Sequence, residues 1–130
     1  MASFEGALAL AQARVGLIPE ASAHLIVETC KTDLPNAEAI YEEAKRSGNP
    51  AIPFVRHLRN SVASRNPAAA NHVHFGATSQ DIIDTANMMA LAAIADALDS
   101  MLLKISSDLR TMAMNHAKTP MVGRTLLQQA

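Results

Sequence analysis

From Ala77 to Thr119 the chain holds neither glycine nor proline. Across that span Ile83, Ala90, Ile94, Leu98, Met101, Ile105, Leu109 and Met112 step by threes and fours, with one skipped position at Asn87. This spacing predicts one helix over most of the segment, roughly 55–60 Å long at about 1.5 Å per residue. Leu91, Ala95, Leu102 and Leu103 broaden the apolar surface beyond the narrow seam of a two-stranded coiled coil. A rod inside a multi-helix bundle is the expected setting.

Shorter helices precede it. Phe4 to Val15 reads as a helix ended by Gly16, with Phe4, Leu8, Ala11 and Val15 on one face. Pro19 suits the first turn of a second helix running to about Lys31, with Leu25, Ile26 and Cys30 on its apolar side. Asp33-Leu-Pro35-Asn reopens the chain, and Ala37 to Arg46 forms a third helix closed by Ser47-Gly48. Pro50 and Pro53 set the next boundary, ahead of Phe54, Val55, Leu58 and Val62 at helical spacing; Asn66-Pro67 ends that helix and begins a loop. No alternating strand pattern, internal repeat or low-complexity tract is present. The expectation is an all-α fold: an N-terminal helical domain over 1–76, then the start of a central helix-bundle domain over 77–130. Pro120 to Ala130 reads as a new turn and the beginning of a further helix. A bundle-forming rod with no return helix leaves its stripe unburied, so the chain is expected to be an N-terminal fragment of a longer protein.

Composition narrows the partners. The formal charge is −1, which implies no basic face for nucleic acid. Cys30 is the one cysteine, so neither an intrachain disulfide nor a cysteine metal cluster is expected. The N-terminus lacks a signal-peptide pattern, and no apolar run reaches membrane-spanning length. A soluble, cytoplasmic protein is expected. Aromatics make up 3% of the chain and tryptophan is absent. Small side chains let helices approach closely but bury little area each, which argues for a larger helical assembly and hence a homo-oligomer.

The chemistry concentrates in His74-Phe-Gly-Ala-Thr-Ser-Gln-Asp81. Thr78 and Asp81 have the spacing of a capping box, and Gly76 supplies backbone freedom before it. Capping needs neither Ser79 nor His74. A hydroxyl pair at a helix N-terminus beside an imidazole is chemistry for a carboxylate. The other histidines offer less. His72 and His74 have metal-compatible spacing but no convincing third ligand, so no metal is expected. His57 lies beside Arg56 and Arg59, as a surface histidine would. His116 suits a helix C-terminus, and His24 has no partner visible in the sequence. No nucleophile elbow or phosphate-cradling loop is present, and the methionines at helical spacing read as packing.

The stretch His74-x-Gly76-x-Thr78-Ser79-x-Asp81, followed by Asp84-Thr85, resembles the first conserved region of the fumarase/aspartase superfamily. Thr119-Pro-Met-Val-Gly-Arg-Thr125, continuing to Gln128 and Ala130, resembles its second region. Within the superfamily, Gly-Ala-Thr-Ser-Gln-Asp, the early Ala11-Gln-Ala13 to Gly16-Leu-Ile-Pro19 phrase and Ala51-Ile-Pro53 look most like the 3-carboxy-cis,cis-muconate cycloisomerases. Adenylosuccinate lyase is the close competitor. One departure separates them: the second-region histidine, a proposed general acid in adenylosuccinate lyase, is Leu126 here, and an apolar side chain cannot carry a proton. Cycloisomerases of the family tolerate a non-histidine residue there.

The resemblance implies a cofactor-independent reaction of aromatic catabolism, in the β-ketoadipate pathway. A muconate carboxylate adds across a double bond to close a lactone, with protonation at the adjacent carbon. Thr78 and Ser79 would bind a substrate carboxylate, and His74 would bind substrate or relay a proton. Thr125 and Gln128 would bind substrate from a neighbouring subunit, with Arg124 supporting their loop. Asp81 is assigned to capping. The family's third region, a mobile loop bearing the proposed catalytic serine, would lie beyond Ala130. Active sites in the family are assembled from three subunits of a homotetramer, so the chain alone is expected to be inactive. The alternatives are another superfamily lyase, releasing fumarate by β-elimination, or an inactive helical assembly fragment.

Overall fold

The computed structural model describes residues 1–129; the side chains of Arg124, Thr125, Gln128 and Gln129 fall outside that description. Contacts group the chain into two units, Met1–Ala90 and Leu91–Ala130. Six helices run in order: α1 (Ala2–Arg14), α2 (Glu20–Thr32), α3 (Ala37–Ser47), α4 (Ala51–Arg65), α5 (Pro67–Ala70) and α6 (Ser79–His116). The expected all-α architecture holds, and the division between the units falls inside α6.

Local chemistry explains most of the boundaries. Pro19 sits in extended conformation just before α2, where a missing N–H costs nothing. The Asn36 side chain accepts from the Glu38 N–H at 2.8 Å and starts α3; Gly48, at φ +66°, ends it by donating its N–H to Ala44 O. Asn49 Oδ1 accepts from the Ala51 N–H at 2.8 Å, starting α4, and Pro53 stands in the first turn, where its missing donor is tolerated. Asn66 ends α4 and its side chain accepts from the Ala68 and Ala69 N–H groups. That double cap makes a one-turn helix, α5, where the sequence pattern predicts only loop.

The first unit is built on α1 against α2, with α4 and α5 closing over α2. Its core holds Ile26, Leu58, Val62, Val73 and Ile82, all essentially inaccessible to water. Ile82, rather than its neighbour Ile83, is the α6 residue buried there. The apolar face predicted for the first helix is also corrected. Ala11 and Val15 are exposed, and the buried face carries Glu5, Gly6, Ala9 and Gln12. Hydrophobic periodicity misses this face because its two polar side chains are buried through hydrogen bonds, not through apolar character.

In the second unit Leu91, Ile94, Leu98, Met101, Ile105, Leu109 and Met112 are each more than half exposed. The helix expected after Pro120 does not form. Instead β1 (Arg124–Thr125) pairs antiparallel with β2 (Gln128–Gln129) around Leu126, which adopts φ +48°. No helix among the described residues is long and apolar enough to cross a membrane.

Cys30 is buried, and desolvation, reinforced by the nearby Glu5 charge, pushes its thiol from 9.0 up to about 11. The unfolded thiol ionises first, so this contribution is fully present below about pH 9 and lost as pH rises through about 11. Denaturant unfolding of the wild type should therefore lose up to about 3 kcal/mol over that window relative to Cys30→Ala. Parallel pH curves for the two proteins would show that burial leaves the thiol unshifted.

Candidate functional site

The loop between α5 and α6 is held from below by α1. Glu5 and Gln12 stand two turns apart on the same face of that helix, with Ala9 between them. The Glu5 carboxylate, 1% exposed, accepts the His74 backbone N–H at Oε2 (3.1 Å) and contacts His74 Nδ1 at Oε1 (2.6 Å). Gln12 Nε2 donates to Phe75 O at 2.6 Å. From α4, Arg59 Nη2 donates to Val73 O at 3.3 Å. Three consecutive loop residues are thus each tied to a helix.

His74 has φ +59°, a left-handed conformation that costs a side-chain-bearing residue about 1 kcal/mol or more. The two Glu5 contacts hold it there, because they bring the ring and the backbone N–H to the same carboxylate. Gly76, at φ +69°, completes the reversal into α6. The Asp81 carboxylate accepts the Thr78 N–H at 2.9 Å, which is the return half of a capping box.

His74 and Ser79 come together at a cavity of about 260 Å³ whose other walls are Ala51, Ile52, Val55, Arg56 and Arg59 of α4. Arg56 also pairs with Glu43 of α3. Thr78 is exposed and does not line this cavity. The side chains of Arg124, Thr125 and Gln128 lie outside the described residues, so their predicted roles carry no geometry here. A larger groove of about 890 Å³ runs past Ile40, Tyr41 and Phe54, but it holds none of the motif residues. The chemistry belongs to the smaller cavity. An imidazole, a hydroxyl at a helix N-terminus and two guanidinium groups around one space are groups whose chemistry suits an anion.

Sequence reasoning missed Glu5, Gln12 and the two arginines as members of this site. A lone acid and an amide at i and i+7 on an otherwise small-residue face were the available signal for α1. The other histidines stay apart from the cavity. His24 Nε2 lies 3.5 Å from Glu20, and His116 Nδ1 lies 3.3 Å from Thr119 Oγ1. His57 Nε2 is 3.9 Å from Asp33, too far for a hydrogen bond.

The helical fold and the cavity that joins His74, Ser79, Arg56 and Arg59 are the features set against known proteins. The family model described as Lyase matches residues 1–130, so the chain belongs to that family, within the fumarase/aspartase superfamily. It is 48% identical, over all 130 of its residues, to a 3-carboxy-cis,cis-muconate cycloisomerase of Bradyrhizobium diazoefficiens, of which it covers 29%. It is 39% identical to a nitrosuccinate lyase of Streptomyces davaonensis, again over the full chain and 27% of that protein. The crystal structure of 3-carboxy-cis,cis-muconate lactonizing enzyme from Pseudomonas putida superimposes on 99% of the chain with a TM-score of 0.90 at 39% identity. The chain covers 30% of that structure, and so spans less than a third of the length of these relatives.

Replacing Asp81 by alanine removes an exposed cap without touching the cavity. Chemical denaturation should show a loss of about 1 kcal/mol. A loss below a few tenths of a kcal/mol would mean the Asp81–Thr78 contact does not support the helix start.

Proposed function

We propose that this chain supplies the N-terminal part of a cycloisomerase converting 3-carboxy-cis,cis-muconate to a carboxymuconolactone, a step in aromatic breakdown. The observation that carries this reading is that His74 and Ser79 line one cavity with Arg56 and Arg59. A tricarboxylate needs several fixed cationic and hydrogen-bonding groups, and binding through them positions one carboxylate against the double bond. The C–O bond then forms at one alkene carbon while a proton is delivered to its neighbour. No cofactor is required. In this reading Ser79 and the arginines hold carboxylate, His74 binds substrate or relays the proton, and Thr78 adds a hydroxyl from the rim. Thr125, Gln128 and Arg124 serve a site shared with a neighbouring subunit, so the isolated chain is inactive. Leu126 cannot transfer a proton, which favours lactone formation over the adenylosuccinate-lyase mechanism.

The assembly follows from α6. Its apolar stripe from Leu91 to Met112 is exposed, and its burial against further helices fits a homotetrameric bundle. We divide the chain functionally at residues 76 and 77, in the loop just before α6 begins at Ser79, and place the protein in the cytoplasm, where a free cysteine such as Cys30 stays reduced. A second reading, a β-eliminating lyase, is favoured by the identity to nitrosuccinate lyase.

In a full-length polypeptide carrying this chain, His74→Ala should lower kcat/KM for 3-carboxy-cis,cis-muconate on the order of 10²-fold, and Ser79→Ala about 10-fold. Unchanged turnover in both variants would remove these residues from the site. Release of fumarate from a succinyl substrate, without lactone formation, would establish the second reading instead. Light scattering after size exclusion should show the chain associating through α6. A well-folded monomer would contradict the bundle assignment.

A further inference from the structure

We propose that Glu5 is a positioning residue that sets the tautomer of His74, holding the ring proton on Nδ1 so that Nε2 presents a lone pair to the cavity. This rests on the reading of His74 as a substrate-site residue and goes beyond it by assigning the state in which the ring works. The chemistry of the contact carries the argument. Glu5 receives two groups from one residue: the backbone N–H at Oε2, 3.1 Å away, and ring Nδ1 at Oε1, 2.6 Å away. The backbone can only donate, so Oε2 must accept. An ionised carboxylate has no proton to give and only accepts, so the proton between Oε1 and Nδ1 resides on the ring. Nδ1 is then spent on Glu5. Among the described residues Nε2 has no protein partner, while His74 itself lines the cavity with Arg56, Arg59 and Ser79.

The arrangement is over-determined. The His74 side chain is 13% exposed and Glu5 1%, so water does not compete freely for either contact. The left-handed backbone at His74 is what lets one residue offer both groups to one carboxylate. The charged groups around the ring are Glu5 from α1 and Arg56 and Arg59 from α4; buried Cys30 of α2 senses the Glu5 charge. With Nδ1 engaged by Glu5, Nε2 is the ring atom left to accept a hydrogen bond from a ligand in the cavity.

A carboxylate can accept at both oxygens, and its amide cannot. In Glu5→Gln, aiming the NH₂ at the His74 backbone N–H would oppose two buried donors, so the amide turns its oxygen to the backbone and its NH₂ to Nδ1. That arrangement moves the ring proton to Nε2. Side-chain ¹⁵N NMR of histidine-labelled chain, at a pH where the ring carries one proton, reads this directly. The wild type should show the Nδ1–H tautomer at His74, and Glu5→Gln should show Nε2–H. A wild-type ring protonated at Nε2 would overturn the inference without any variant having to fold. So would a folded Glu5→Gln protein with the wild-type tautomer.

Activity separates this from the site assignment. In a full-length polypeptide, Glu5→Gln should lower kcat on the order of 10²-fold with KM little changed. It should cause no further loss when His74 is already alanine. An undiminished Glu5→Gln effect in the His74→Ala background would show that Glu5 acts through folding rather than through the ring. If His74→Ala leaves turnover unchanged while the NMR result holds, the proposed function fails and the tautomer assignment stands.

Discussion

A buried carboxylate on a helix is stable only if something satisfies it, and in this chain the satisfying groups come from 69 residues away. Glu5 accepts both the backbone and the ring of His74, and that contact sets how the chain enters its longest helix. Without it, the His74 N–H and the Glu5 carboxylate would each be buried and unpaired, a penalty of a few kcal/mol. With it, a left-handed histidine is held at a turn where such a backbone would otherwise relax. Gln12 and Arg59 add contacts to Phe75 and Val73, so the loop is rigid although it has little regular structure. Position and chemistry are coupled: the residue that anchors the loop also faces the cavity.

The rest of the site follows from that anchoring. Once the loop is fixed, Ser79 begins α6 beside α4, where Arg56 and Arg59 lie one turn apart. The polar side chains that converge there were dispersed in sequence over residues 56 to 79. The groove along α3 is larger but holds none of the motif residues. What sets the small cavity apart is its combination of imidazole, hydroxyl and guanidinium groups.

Much of the fold could be read in the sequence, for local reasons. Asn36, Gly48 and Pro19 mark helix ends through capping and backbone restriction, and these act within a few residues. The long run without glycine or proline made α6 legible in the same way. The failures share one cause. The buried face of α1, the importance of Ile82 over Ile83 and the role of Glu5 all depend on partners far along the chain. Periodicity treats a glutamate as solvent-facing, and only a distant donor reverses that. The short α5 turned on a single side chain, Asn66, accepting two hydrogen bonds. Within the motif, the spacing identified His74 and Ser79 but gave no means of separating them from Thr78, which the fold leaves exposed.

In the proposed function the His74–Ser79–arginine cavity receives a carboxylate. A crystal structure of a full-length polypeptide carrying this chain, bound to an unreactive tricarboxylate analogue, tests it most directly. The ligand should place one carboxylate within hydrogen-bond distance of Ser79 Oγ and His74 Nε2, with Glu5 still on Nδ1. A fully occupied ligand whose carboxylates all lie elsewhere, with His74 and Ser79 touching only water, would contradict it.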